Sequence, residues 1–402
     1  MTLFSVPRVA SLCALLIRIV NAQLDAQHVL GDLSFNTTTS SAECESACSS
    51  IYTLLGPDKV FTYPSIPTEL LTGPGGYFSV QQQETIPICH VLPSSASDVS
   101  GVVNIIRNHE CIFAVKSGGH AQFSGSSSAP GGITLDLRNL NGLALVNDSD
   151  GVTTAQIGTG NRWGNVYDFI GPKNITVTGG RDSDVGVGGF LLGGGISFIS
   201  RRYGWGCDNV RNYEVVLANG SIAQINQRTS PDLYWALRGG GNNFGVVTRF
   251  DLETYPSFPL WGGTAISMLS DIKPTLVRLG LSRSFALTKS SIISSAVDLI
   301  NDLVCKFGYC TSIPQFASLL SQMATDSEND HYAQGYGFLF LLPHTKTYFT
   351  GVQIHHGQAL EAETAHAYRA FRDLKTVYGT LRVSDVSDFG KEFTSYSPQG
   401  MR

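Results

Sequence analysis

The residues of this chain best suited to chemistry are two glycine-dense segments and the histidine that ends one of them. The first segment is Ser117-Gly118-Gly119-His120, followed by the small-residue run Ser124 to Ser128. The second runs from Gly179 to Gly195, where eight of seventeen residues are glycine. Lacking a Cβ, such loops let backbone N–H groups approach a phosphate closely. A single glycine run is more simply read as a tight turn. Two of them, each beside apolar strands, point to a ligand that carries a pyrophosphate. Neither is a G-x-G-x-x-G fingerprint, because Leu191 holds the third glycine position after Gly186-Val187-Gly188, and no Walker A sequence occurs.

Other candidate groups are sparse. His355-His356 ends a candidate strand, but adjacent strand residues point to opposite faces, so the pair reads as structural and not as a metal site. Neither a nucleophile elbow nor a zincin helix is present. Cys207 reads as a packed thiol, and Trp163 and Trp235 lie at core-like spacing.

The elements that must position the glycine loops alternate between short helices and strands. Val99, Val102, Val103 and Ile106 mark an amphipathic helix that starts after Ser97. The strand Ile112 to Val115 then leads directly into the first loop. Ile133 to Leu137, Val152 to Ile157 and Ile175 to Thr178 read as strands, with a short helix carrying Trp163, Val166, Tyr167 and Ile170. Tyr213 to Leu217 and Ser221 to Ile225 flank Asn219-Gly220, a hairpin signal. Ser230-Pro231 opens a helix that ends at Gly239-Gly240-Gly241, and Val246 to Leu252 follows as a strand. After Pro256-Ser257-Phe258-Pro259 the composition shifts. Helices are expected at Ser290 to Phe307 and Ala359 to Val377, and strands at Tyr336 to Leu342 and Tyr348 to Ile354. This mixture predicts an α+β architecture.

With 402 residues, 42% hydrophobic and 15% charged, the chain can build two domains with a sizeable core. A net charge of -5 without runs of one sign argues against nucleic acid as a partner. Val9 to Val20 is an apolar stretch, interrupted only by Arg18, behind Arg8 and ahead of Val20-Asn21-Ala22, the pattern of a secretory signal peptide, with a buried N-terminal helix as the alternative. No other stretch approaches a membrane span. Sequons at Asn36, Asn147, Asn174 and Asn219 agree with secretion and glycosylation. Of 8 cysteines, Cys13 would leave with the signal. Cys44, Cys48, Ile51 and Leu55 share one helix face behind a capping box of Ser40 and Glu43, and Cys89 and Cys111 can reach it. Cys305 and Cys310 can form a further pair, which leaves Cys207 alone.

Four motifs occur in order: Val115-Lys116-Ser117-Gly118-Gly119-His120; Val185-Gly186-Val187-Gly188-Gly189 with Gly193-Gly194-Gly195; Gly206-Cys207-Asp208-Asn209-Val210; and Leu237-Arg238-Gly239-Gly240-Gly241-Asn242-Asn243-Phe244-Gly245. Together they resemble the FAD-binding domain of the vanillyl-alcohol-oxidase and para-cresol-methylhydroxylase superfamily, and within it the berberine-bridge-enzyme-like oxidases of fungi. The resemblance covers roughly residues 40 to 260. It implies FAD bonded through a ring nitrogen of His120 to the flavin 8α-methyl carbon, imidazole being a neutral nucleophile near physiological pH. It implies that Lys116, Ser117, Gly118 and Gly119 surround the pyrophosphate. The loop with Gly180, Asp182, Val185, Gly186, Gly188, Gly189, Gly193 and Gly194 would pass the flavin, and Asn242, Gly245 and Val246 would close the site. Many such proteins carry a second tether, a cysteine, where this chain has Asp182, so one covalent bond is expected.

The expected organisation is a signal peptide (1–22), a lead-in with a disulfide helix (23–80), a two-subdomain FAD-binding domain (81–257) and an incomplete α+β substrate domain (258–402). The resemblance implies a secreted oxidoreductase that passes hydride from a small organic substrate, a secondary metabolite or a sugar, to flavin N5, with dioxygen as reoxidant. The alternative is a flavin-binding protein without turnover, since the chain stops at Gly400-Met401-Arg402 before the tyrosine-rich segment such proteins carry. No residue is singled out as the catalytic base.

Overall fold

The structure, a computed structural model of the chain, describes residues 42–147, 151–269, 304–342, 347–358, 365–371, 374–397 and 399–400. The expected signal segment, the Asn36 sequon, Ser40 of the capping box and most of the helix expected from Ser290 lie outside the described residues. Contacts divide the described residues into two units, one holding those from Ala42 to Phe258 together with those from Asp385, the other holding those from Pro259 to Ser384. The segment from Asp385 onward, grouped with the substrate domain from sequence, thus belongs to the first unit.

In the first unit, helix α1 (Ala42–Leu55) buries Cys44, Ala47, Cys48 and Ile51 on one face. Two disulfides pin that face, Cys44 to Cys111 and Cys48 to Cys89. Strands β1 (Val60–Thr62) and β2 (Cys89–Val91) follow, then helix α2 (Ala96–Asn108), with Val99, Val102, Val103 and Ile106 buried. This helix begins two residues earlier than its hydrophobic spacing suggests, because Ser95 caps it by accepting the Asp98 N–H at 3.0 Å. Strands β3 (Phe113–Lys116) and β4 (Ile133–Asp136) complete a four-stranded sheet of order β1-β2-β4-β3. β2 and β3 both run parallel to β4, while β1 is antiparallel to β2.

The next strands are β5 (Leu143–Asn147), β6 (Thr153–Gly158), β7 (Ile175–Thr176), β8 (Val210–Val216), β9 (Ile222–Ile225), β10 (Val246–Glu253) and β11 (Tyr255–Pro256). Five of them form an antiparallel sheet of order β5-β6-β10-β8-β9, and β7 pairs with β11. The β8–β9 hairpin turns at Gly220, whose φ of +81° suits glycine, as Asn219-Gly220 predicts. Helix α3 (Trp163–Ile170) buries Trp163, Val166, Tyr167 and Ile170, and α4 (Val187–Leu192) follows the second glycine segment. Helix α5 (Pro231–Leu237) starts at the expected proline, but its Trp235 is 76% exposed and is not a core residue.

The second unit is built on β12 (Leu260–Leu269), flanked by β13 (Cys310–Thr311) on one side and by β15 (Thr347–His356) and β14 (Ala333–Leu342) on the other. Helix α6 (Ile313–Asp326) carries Phe316 and Met323 into a cluster with Val352, Ile354, Tyr368 and Phe371. Where a helix is expected over Ala359 to Val377, the described part is a 3-10 turn, His366–Phe371, followed by β16 (Tyr378–Gly379) and β17 (Arg382–Ser384), both paired with β12. The edge of β12 captures this segment: Val377 N–H donates to Ile266 O at 2.8 Å and Thr380 N–H to Thr264 O at 2.9 Å. His355 and His356 are both buried, and His356 Nε2 lies 3.1 Å from Asp330 Oδ2. Cys305 and Cys310 are bonded, and Cys207 is a buried free thiol. Helix α7 (Val386–Tyr396) then returns to the first unit. Among the described residues no helix is long and apolar enough to cross a membrane.

The Cys44–Cys111 bond spans 67 residues, so chain-entropy arithmetic assigns it about 4 kcal/mol. The double variant Cys44→Ala, Cys111→Ala is expected to lose stability of that order, measured as a fall in the denaturation midpoint. A midpoint unchanged from wild type would contradict this.

Candidate functional site

Strand β3 delivers Lys116 to the first glycine loop, where its side chain runs beneath Gly119, a Cβ there falling 2.9 Å from Lys116 Cε, and on toward the end of β4. It is fully buried, and Nζ donates to Asp136 Oδ2 and to Gly75 O, both at 3.0 Å. Parallel pairing explains the meeting, since Lys116 and Asp136 are register partners at the ends of β3 and β4. Asp136 also takes a hydrogen bond from His90 Nε2 at 2.9 Å and from Arg138 Nε at 3.0 Å. Burial pushes the Asp136 carboxyl up, yet Lys116, His90 and Arg138 together outweigh it and hold the group well below the usual carboxylate range. Burial pulls the Lys116 ammonium down to about 8, which leaves it charged at neutral pH, and keeps His90 neutral.

Beyond Lys116 the two glycine segments meet backbone to backbone. A Cβ on Gly118 would lie 2.4 Å from Gly186 N, and one on Gly186 would lie 2.2 Å from Gly118 N. Ser117 stitches the contact: its Oγ donates to Thr159 O at 2.7 Å and accepts the Gly188 N–H at 3.1 Å. Arg162 adds a second stitch, donating to Gly118 O at 2.8 Å while pairing with Asp184 at 2.9 Å. The loops, the end of β6 and the start of β10 enclose a cavity of about 430 Å³.

Of the residues singled out from sequence, Ser117, Gly118, Gly119, His120, Val185, Gly186, Gly188, Gly189, Gly193, Asn242, Gly245 and Val246 line this cavity. Four do not. Lys116 runs beneath Gly119 toward the end of β4. Gly180 packs on the Trp163 indole, where a Cβ would fall 2.5 Å from Cδ1, and its carbonyl accepts from Tyr167 Oη. Gly194 lies against the Trp205 ring. Asp182 stands behind His120, its Oδ2 3.7 Å from His120 Nε2. The cavity also takes Leu137, Thr159, Phe190 and Val247, which sequence reading missed. Three of these sit at or just past strand ends next to the loops, a signal that was available. Asp136, His90 and Arg162 left no local signal, because their partners are far away in the chain.

His120 is held at the cavity wall with its ring stacked on Phe78, centroids 4.0 Å apart and planes 15° apart. Burial lowers its pKa, with Asp182 and Asp184 pulling the other way, so the ring is neutral at physiological pH. Its Nε2 is buried and has no hydrogen-bond partner among the described residues. Among the described residues no acidic side chain lines the cavity. Close-set glycine backbone, apolar strand ends and a neutral histidine fit a pyrophosphate-bearing ligand with a flat, largely apolar ring system.

Residues 87–226 match the family model described as FAD binding domain. The chain is 38% identical over 373 residues to the FAD-dependent monooxygenase FUP4 of Fusarium proliferatum, which covers 90% of this chain and 63% of the relative. It is 45% identical over 233 residues to the FAD-dependent monooxygenase tpcD of Cochliobolus heterostrophus, 56% of this chain and 44% of the relative. Among solved structures it is similar to 6-hydroxy-D-nicotine oxidase from Arthrobacter nicotinovorans, with a TM-score of 0.62 and 22% identity over 84% of this chain and 63% of that one. It is also similar to a berberine-bridge-enzyme-like protein of Physcomitrella patens, with a TM-score of 0.60 and 17% identity over 84% and 62% of the two chains. Residues 87–226 of the chain form an FAD-binding domain. Its fold is the α+β fold of the para-cresol-methylhydroxylase type. The chain spans roughly half to two thirds of the length of these two curated relatives.

The Asp136 cluster yields a test of what supports the loop. A buried charge left without its partner costs about 3–5 kcal/mol, so Asp136→Asn is expected to lose that order of stability at pH 7. The folded carboxyl titrates below its unfolded value of about 3.9, so its contribution is complete above that pH and drains away as pH falls. Urea midpoints should therefore show the gap between wild type and variant narrowing below about pH 4. A constant gap down to pH 3 would argue against it.

Proposed function

We propose that this chain is the FAD-bearing body of a secreted oxidoreductase that holds its flavin by a single covalent bond from His120. The observation that carries the reading is a neutral, clamped histidine on the wall of a cavity whose facing loops touch through glycine backbone. When bound, FAD supplies a hydride acceptor at N5 for a small organic substrate, a secondary metabolite or a sugar, and dioxygen restores its oxidised form. The chain's own residues bind and orient. The backbone N–H groups of Ser117 to Gly119 and of Gly186 and Gly189 would face the pyrophosphate, those of Val187 and Gly188 being taken by Asn161 O and Ser117 Oγ, and Lys116 serves from behind by locking β3 to Asp136. Val115, Leu137, Val246 and Val247 give the cavity apolar walls that exclude water, and Asn242 and Gly245 close one side. Asp182 cannot form a thioether, which leaves His120 as the one tether.

Three disulfides among the described residues favour an oxidising compartment, because such bonds are rare in the cytosol. The relatives named FAD-dependent monooxygenases and the solved oxidase support flavin redox chemistry in general. For this chain we favour hydride transfer with peroxide as product, since a histidine tether retains flavin through repeated turnover outside the cell.

The test is acid precipitation of the secreted protein followed by the absorbance of the washed, redissolved pellet. Yellow colour should stay with the wild type and be absent from His120→Ala, which should still hold flavin reversibly before precipitation. A native protein without flavin would sink the reading. With flavin present, candidate substrates should bleach it and release one peroxide per turnover. Oxygen incorporated into product without peroxide would favour the monooxygenase outcome.

A further inference from the structure

The placement of Asp182 has chemistry of its own. Its Oδ1 accepts hydrogen bonds from Asp184 N–H at 2.8 Å and from the Thr394 hydroxyl at 2.7 Å, and Thr394 lies on α7. Those two bonds fix the carboxylate and leave Oδ2 facing His120 Nε2 across 3.7 Å. Arg162, the nearby cation, pairs with Asp184 and not with Asp182. Phe78 meanwhile fixes the plane of the imidazole. The ring therefore presents one edge to an anchored anion, and that edge nitrogen has no other partner among the described residues.

We infer that Asp182 is the positioning residue for flavin attachment: it selects the Nε2–H tautomer of His120, leaves the Nδ1 lone pair as nucleophile, and accepts the Nε2 proton as the bond forms. The inference rests on the His120 tether proposed above. A carboxylate accepts hydrogen bonds only, so an imidazole turned toward it carries its proton on the facing nitrogen. A separation of 3.7 Å is longer than a formed hydrogen bond, and catalytic contacts of this kind tighten in the reacting complex. The balance is complete. One C–H bond of the 8α-methyl group breaks and its proton leaves to water, while the Nδ1–C bond forms. The Nε2 proton passes to Asp182 and on to solvent, so the product imidazole is neutral. The two electrons left on the ring system reduce dioxygen, which takes up two protons to give hydrogen peroxide.

The experiment follows attachment and not turnover. Full-length chain purified from flavin-starved cells is mixed with FAD in air, and the acid-stable fraction is read with time by absorbance and intact mass. Asp182→Asn should bind as much FAD as wild type before precipitation but attach it about a hundredfold more slowly, the scale of general-base assistance. Asp182→Glu should recover much of the rate. Asp182→Ala should be slow, and added formate should speed it in a saturable way, which a packing defect would not allow. Attachment at the wild-type rate in Asp182→Asn would overturn the inference, as would an Asp182→Ala variant that binds FAD yet ignores formate. If acid strips all flavin from the wild type, the tether itself is absent and the earlier reading fails first.

Discussion

The site depends on the contact between Gly118 and Gly186, where neither residue can carry a side chain without driving into the other's backbone. Such an approach brings two runs of peptide groups to one wall of a cavity, and it costs the conformational entropy that glycine loses on folding. The surroundings offset that cost with directed polar contacts. Ser117 spans Thr159 and Gly188, and Arg162 reaches Gly118 while held by Asp184. These partners come from β3, from the end of β6 and from the start of α3 and α4. The two larger sheets of the first unit must therefore be in register before the loops can meet. The geometry of the site is a property of the whole unit and not of either motif.

The same dependence explains why the charged residue of the first motif does its work out of sight of the cavity. Lys116 and Arg138 face one carboxylate, Asp136, with His90 neutral, so the buried cluster carries two positive charges against one negative. Directly after it in the chain comes a loop with no acidic residue on the cavity wall. A net positive centre in a low-dielectric sheet, one residue behind the glycine backbone, favours an anion there without touching it. Direct contact by the ammonium would need the side chain to leave Asp136, taking away one of the three side chains that donate to the buried anion. The network thus trades a flexible point contact for a fixed field. The same bonds hold Gly75 O, so the loop before β2 is tied to the same point.

What could be read from sequence divides along physical lines. Signals that act within a few residues were legible: the apolar spacing of α2 and α3, the Asn219-Gly220 turn, the cysteine face of α1 and the two glycine runs. Most of the cavity lining follows, because residues next to those runs must line whatever the runs approach. Relations between distant strands were not legible. Nothing near Asp136 announces that Lys116 and His90 will converge on it, since parallel register brings them together only after folding. The helix expected over Ala359 to Val377 shows the opposite failure. Its local pattern is overruled by the hydrogen-bonding edge of β12, which draws Val377 to Thr380 into extended pairing. Trp235 lies on an apolar spacing but on the outer face of a short helix, where no second layer covers it.

Every residue that lines the cavity belongs to the first unit, whereas the second unit has its own sheet, core cluster and disulfide. The cavity and the core of the second unit are therefore built from different parts of the chain and answer to different constraints. The cofactor part is bound by steric exclusion at glycine and by buried charge, so few substitutions there leave the cavity intact. The second unit is held by apolar packing of α6 and the 3-10 turn against β14 and β15, and such cores tolerate exchange of one hydrophobic residue for another of similar volume. A sequence built this way keeps its glycine motifs legible while the packing residues of the second unit can exchange among apolar types, and for that reason the flavin-binding motifs stand out in the chain.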